Sequence, residues 1–283
     1  MHVRPAMFAG SWYPSSASAC ENEIRSFLKQ PGMRSVSQKQ FQGGIVPHAG
    51  WFFSGGIACN VIHLLARGEQ PDLIWIFGMH LHQRSPAYMM ARGEWETPFG
   101  NLAIDEDCAE ELAGRFAFHI ETPDDFTPDN TIELQLPFVK YFFPDTKIIP
   151  VGPPPTPESL EIGAAAAEIS KQFGRKVRVI GSTDLTHYGP NYGFSPKGRG
   201  KEAVDWVKTE NDRRIVEAIT SLKPTRIIEE ALSHQNACCA GAAAAAVSAG
   251  NALGADAAEL VSYATSYDKN PGDSLVGYAG IVF

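Results

Sequence analysis

Short apolar runs rich in β-branched residues recur along this chain and alternate with helix-forming segments, a pattern that admits few folds. The runs are Gly44-Ile45-Val46-Pro47, Leu73-Ile74-Trp75-Ile76-Phe77, Lys147-Ile148-Ile149-Pro150-Val151 and Val177-Arg178-Val179-Ile180. Each is too short for a helix and is bounded by turn residues, so it reads as a central strand covered on both faces. Between them, Thr156 can cap and Pro157 suits the first position of a helix whose best helix-forming stretch is Leu160 to Phe173. Asn130-Thr131-Ile132-Glu133 has the form of a capping box, with Asn130 as the cap and Glu133 reaching back, for a helix running towards Tyr141. Lys201 to Leu222 and Pro224 to Ser233 predict surface helices, and the Ala-rich stretches at 164–167 and 242–246 predict closely packed ones. Glu259 to Thr265 and Ser274 to Val282 predict strands on either side of the turn-rich segment 268–273. Strand followed by helix, repeated, implies an α/β fold with a largely parallel central sheet flanked by helices. No repeat or long linker divides residues 1–283, so a single domain is expected. In such a sheet, ligands bind at the carboxyl ends of the strands.

Composition excludes several functions. With 44% hydrophobic residues, a chain of 283 residues buries a substantial core. It contains no stretch of about 18 apolar residues, and Met1 to Pro5 lacks the apolar core of a signal peptide, so a cytoplasmic protein without a membrane role is expected. A net charge of −8 without a Lys/Arg block offers no footprint for nucleic acid, leaving a small molecule or a peptide as the expected partner. The five cysteines are odd in number and widely scattered, which favours reduced thiols over a disulfide framework. Gly-x-Gly-x-x-Gly, Walker and Gly-x-Ser-x-Gly motifs are absent, which removes the common nucleotide and serine-hydrolase readings.

The chemistry-bearing residues cluster at expected strand exits. His48 follows the first run and precedes Ala49-Gly50, small residues that let a ligand approach the backbone. His80 and His82 follow the second run, and two residues apart in an extended segment point the same way. They would emerge beside His48 if the two strands are parallel neighbours. Asp184 and His187 follow the fourth run, where a helical turn would let the carboxylate orient the imidazole for proton transfer. Cys238 precedes a helix beginning Cys239-Ala240-Gly241-Ala242, and a helix amino terminus stabilises a thiolate. Alone, a strand-end histidine or a buried cysteine is more often structural. Together, a thiolate facing neutral imidazoles suits Fe(II), Cu or Zn over Mg or Ca.

In order along the chain, Ala9-Gly10-Ser11-Trp12-Tyr13-Pro14, Pro47 to Gly50, Thr97-Pro98-Phe99-Gly100, Ile132 to Phe138, Ser182 to Tyr188, Cys238 to Gly241 and Gly277 to Gly280 resemble the Memo family. That family includes AmmeMemoRadiSam system protein B and the eukaryotic mediator of cell motility, and the similarity covers nearly the whole chain. The resemblance implies a fold related to class III extradiol dioxygenases and a metal pocket of two histidines and a cysteine. It places His48 and Cys238 as ligands, with Asp184 and His187 in catalytic positions nearby. The family's Gly-x-x-His here reads Gly78-Met79-His80-Leu81-His82, so the second histidine ligand is His80 or His82, with His80 favoured. His82, Asn130 and Glu133 are then expected in the substrate pocket. Asn130 stands where the family commonly has histidine, and an amide cannot serve as a general base. The implied function is a non-haem, Fe- or Cu-dependent redox or dioxygenase-like enzyme, with Zn a third option for the ion. The alternative is a non-catalytic metal- or peptide-binding module. The system name adds an AMMECR-type protein and a radical SAM protein as expected partners.

Overall fold

The computed structural model describes residues 2–30 and 34–283. Each of the four apolar runs overlaps a strand of one nine-stranded sheet. In chain order its strands are β1 (Gly43–Val46), β2 (Leu73–Phe77), β3 (Ala87–Met90), β4 (Phe118–Glu121), β5 (Lys147–Gly152), β6 (Val177–Ser182), β7 (His187–Tyr188), β8 (Glu259–Thr265) and β9 (Leu275–Val282). The sheet runs β7-β9-β1-β6-β2-β5-β3-β4, and β8 also pairs with β9. β1, β6, β2 and β5 are parallel neighbours, flanked by antiparallel β9 and β3. Every residue of β1 and β2 is buried, as strands covered on both faces require. Burying a large aliphatic or aromatic side chain of this block contributes about 1.5–3 kcal/mol.

β1 and β2 are not adjacent: β6 lies between them. The exits carrying His48 and His80 are therefore separated by the exit carrying Ser182 to Asp184, which is why those residues can touch both histidines' surroundings. The helix Ala240–Ala252 lies against Pro157–Gln172 so closely that a Cβ on Gly163 would fall 2.1 Å from the Ala245 carbonyl oxygen. It also covers β6, where a Cβ on Gly181 would fall 2.7 Å from the Ala246 Cβ. These contacts aim its amino terminus at the strand exits.

Three local expectations need correction. Thr156 is the cap of Pro157–Gln172, yet its side chain makes no capping bond and its buried hydroxyl has no partner. Asn130 is not a cap: Asp129 is, accepting from the Thr131 backbone, and Asn130 opens a short helix, Asn130–Glu133, that breaks before Leu136–Phe142. Of the two expected surface helices, the first is two helices, Lys201–Trp206 and Asp212–Thr220, joined by a wider turn at Val207–Asn211. Asn211 and Asp212 of that segment are buried and hold Thr186, at 3.0 Å each. The main core draws on residues from Tyr13 to Phe283. No helix among the described residues is long and apolar enough to cross a membrane.

Candidate metal centre

His48 lies two residues past β1 and is held at every polar point. Its backbone N–H donates to Asp184 Oδ1 at 2.8 Å, and its carbonyl accepts from Asn130 Nδ2 at 2.9 Å. Ser182 Oγ donates to the Thr131 carbonyl at 2.7 Å and lies 2.9 Å from His48 Nδ1. A hydroxyl whose single proton is spent must accept at its next contact, so Nδ1 carries hydrogen and Nε2 is the atom left for a ligand. Nε2 faces Cys238 Sγ at 3.2 Å.

His80 reaches the same place from a loop. Gly78 admits no side chain, because a Cβ there would fall 2.4 Å from Thr131 Oγ1. That hydroxyl takes the Met79 N–H at 2.6 Å, and Met79 turns the chain with φ of +71°. His80 Nδ1 then meets Asp129 Oδ2 at 3.2 Å. A carboxylate accepts there, so Nδ1 again carries hydrogen and Nε2 is free. The two rings lie 5.0 Å apart at 81°. His82 does not share this position. Its backbone is tied to Ser85 Oγ at 3.0 Å, and its side chain lines an adjoining groove beside Gln83 and Arg84.

The cysteines arrive at the amino end of Ala240–Ala252, where Cys239 is the cap residue and Cys238 precedes it. Cys238 Sγ accepts the Asp184 N–H at 3.3 Å and lies 3.7 Å from Cys239 Sγ. The Cys239 N–H donates to Thr183 Oγ1 at 3.1 Å. One potential ligand atom from each of His48, His80, Cys238 and Cys239 lies within 4.8 Å of all the others, forming a possible metal-binding group.

Burial works against a charged Cys238. A hydrogen bond from Cys239 and the charge of His48 overcome it and hold the Cys238 thiol well below the usual thiol range. Burial and the neighbouring thiolate push Cys239 the other way. Burial also opposes charge on His48, but Asp184 and Cys238 outweigh it and raise its pKa. His80 is pushed up to about 10, with burial again outweighed by Asp129 and Cys238. In the metal-free centre these shifts favour negative charge on Cys238 and protons on the two imidazoles. An ion entering it displaces Nε2 protons.

Asp184 and His187 are not the hydrogen-bonded pair that their spacing suggests. His187 enters β7, where it pairs with Val276, so the segment does not turn helically. Its Nδ1 lies 3.1 Å from the Leu185 carbonyl, while Asp184 serves the His48 backbone and sits 3.9 Å from His48 Nε2. Burial raises the Asp184 pKa despite the nearby His48. His187, Asp184 and Asn130 do line one cavity of about 610 Å³ together with His48, His80 and Trp12. Glu133 is outside it. Its carboxylate is buried and accepts from the Met7 and Phe8 N–H groups and the Tyr13 hydroxyl at 2.7–3.0 Å. It thereby pins the segment that carries Trp12 to the cavity wall.

Sequence reasoning passed over Asp129, Ser182 and Thr131. Asp129 left one signal, an acidic residue directly before a helix start, where a carboxylate is an ordinary cap. Ser182 and Thr131 left none, because a hydroxyl that orders an imidazole through space has no sequence spacing to betray it.

A family model described as Memo-like protein matches residues 4–282. The chain is 33% identical over 293 residues to a MEMO1 family protein of Pyrococcus furiosus, covering 99% of this chain and 98% of that one. It is 30% identical over 296 residues to a MEMO1 family protein of Pyrobaculum aerophilum, covering 100% and 99%. Among solved structures, an uncharacterized protein of Escherichia coli K12 shares the fold with a TM-score of 0.56 at 10% identity, over 86% of this chain and all of that one. Full-length likeness of this kind, together with the matched family model, means that the chain belongs to the Memo family.

Proposed function

We propose that His48, His80 and Cys238 hold a redox-active ion, iron(II) or copper, and that the chain is an oxidoreductase acting on a small molecule in the adjoining cavity. One observation carries this reading: both imidazoles spend their Nδ1 hydrogens on Ser182 and Asp129, leaving two Nε2 atoms for the compact group that the Cys238 sulfur joins. Two borderline nitrogens and a soft sulfur suit those ions, and the anionic sulfur favours the oxidised state. When bound, the ion supplies one-electron chemistry and an open coordination position. The chain's own residues supply the rest. His187, with Nδ1 hydrogen directed at the Leu185 carbonyl, offers Nε2 as a proton acceptor in the cavity. Asn130 cannot take that role and instead fixes the His48 carbonyl.

A second reading has its own observation. Cys239 Sγ lies within the four-atom group, and a closed set of two nitrogens and two sulfurs suits zinc held without turnover. Elemental analysis after anaerobic purification separates the two. Near-stoichiometric iron or copper, lost in His48→Ala, His80→Ala and Cys238→Ser, retained in His82→Ala and Cys239→Ser, and joined by oxygen uptake with catechols, thiols or ascorbate, supports the enzyme. Zinc that also leaves in Cys239→Ser, with no oxygen uptake, supports the binding module.

A further inference from the structure

The opposite edge of the sheet carries a concentration of charge that the metal centre does not use. A cavity of about 430 Å³ at the amino end of β6 is walled by Lys171, Arg175, Lys176 and Arg178, with one carboxylate residue, Glu69, and Gln40 and Gln42 beside them. Arg175 is matched by Asp105 at 3.0 Å, and Lys176 by the Glu69 carboxylate. Among the described residues, Lys171 and Arg178 have no carboxylate partner. Lys171 is exposed, but Arg178 is only 5% exposed. Its guanidinium donates to the carbonyls of Val177 at 2.8 Å and Glu69 at 3.2 Å, while its Nε has no partner. Carbonyl dipoles offset only part of the cost of taking a guanidinium out of water. The walls therefore keep about two uncompensated positive charges in a chain of net charge −8.

The plainer account is that cations gather at helix carboxyl ends, since Lys171 lies in the last turn of Pro157–Gln172. That explains an exposed lysine. It does not explain a buried arginine projecting from a strand.

We propose that this cavity binds a phosphate monoester of a small molecule, with Arg178 and Lys171 taking the phosphate and the body lying against Leu253. A phosphate monoester carries about −1.5 to −2 at pH 7, which matches the surplus, and its oxygens match the guanidinium fork. The volume lies within the range of small-molecule sites. This site is independent of the metal reading. Isothermal titration of the full-length protein with inorganic phosphate, phenyl phosphate and acetate tests it, using K171Q and R178Q checked by thermal melting. Phenyl phosphate is expected to bind more tightly than inorganic phosphate, and acetate to give no saturable heat. Each variant is expected to weaken phenyl phosphate about tenfold. No saturable heat from phenyl phosphate, exclusion of it while inorganic phosphate binds, or an unchanged affinity in K171Q would overturn the proposal. Should R178Q fail to fold, K171Q decides the matter, because Lys171 is exposed and its loss leaves the fold intact.

Discussion

The two imidazoles approach one thiolate from supports of different stiffness. His48 is 2% exposed, continues from a buried parallel strand, and is tied through its N–H, its carbonyl and its Nδ1. The His80 side chain is 44% exposed, sits just past a left-handed turn, and hangs on the Asp129 carboxylate. The sheet thus fixes one half of the centre, whereas a loop and one charged group fix the other. The strand half is expected to decide whether an ion binds at all, and the loop half to tune how tightly and at what pH.

The largest effect that could break this contrast is ligand removal. A structural ion contributes about 10–16 kcal/mol, or about 2.5–4 kcal/mol for each of four ligands, so His48→Ala should weaken binding by about a hundredfold or more. His80→Ala should cost less, because water can enter at the exposed position. Competition against a chromogenic chelator measures both constants, and a greater loss in His80→Ala would reverse the assignment of stiff and adjustable halves.

Asp129→Asn comes next. It keeps a capping side chain while removing the charge that holds the His80 hydrogen, and outer-shell changes of this kind typically cost 10–100-fold in affinity. The same variant should return the His80 titration towards its ordinary value, readable by NMR of the ring protons in the metal-free protein.

The pH dependence follows from the same proton. A histidine in the unfolded chain titrates near 6.5, while His80 in the fold holds its proton up to about 10. Its contribution to the stability of the metal-free protein is therefore complete below about 6.5 and is lost as pH rises through about 10. His48 shifts in the same direction. The depressed Cys238 contributes in the opposite sense, above the unfolded thiol value of about 8.5, and that contribution fades as pH falls through its folded pKa. An ion must displace the imidazole protons, so metal affinity should rise between pH 6 and 9. Titrations in buffers of different ionisation enthalpy would count the protons released. A count of zero would remove the protonated imidazoles from the description.

What the sequence discloses follows the same division. The parallel block is legible because strands buried on both faces must be continuously apolar, as Leu73 to Phe77 is. Strands β3 and β4 escape notice, since Ala87-Tyr88-Met89-Met90 and Phe118-His119-Ile120-Glu121 are short and carry little β-branching. At the centre, His48 and Cys238 stand beside regular elements whose ends can be located. The His80 loop is harder: the positive φ of Met79 and the hold of Thr131 on its N–H are set by tertiary contact, so spacing alone does not separate His80 from His82. The Asp184–His187 pairing failed for a related reason, because pairing of β7 with β9 overrode the local helical turn.

Ser182→Ala is the smallest expected effect on the metal and the sharpest test of the contrast. The variant leaves the Thr131 carbonyl and the His48 Nδ1–H without their shared partner inside a buried site. Each such orphan costs about 1–3 kcal/mol, so the melting temperature of the metal-free protein should fall clearly. His48 itself remains held by the strand and by the bond from its backbone N–H to Asp184, so affinity should fall only several-fold. Above about pH 10, where the contribution of the His80 proton to stability is gone, Asp129→Asn should do the reverse, sparing stability and costing affinity, because asparagine caps a helix as well as aspartate does. Measuring both quantities for both variants gives four numbers whose crossed pattern is the prediction. If Ser182→Ala instead loses the ion while melting normally, the hydroxyl sets the orientation of His48, and the strand does not.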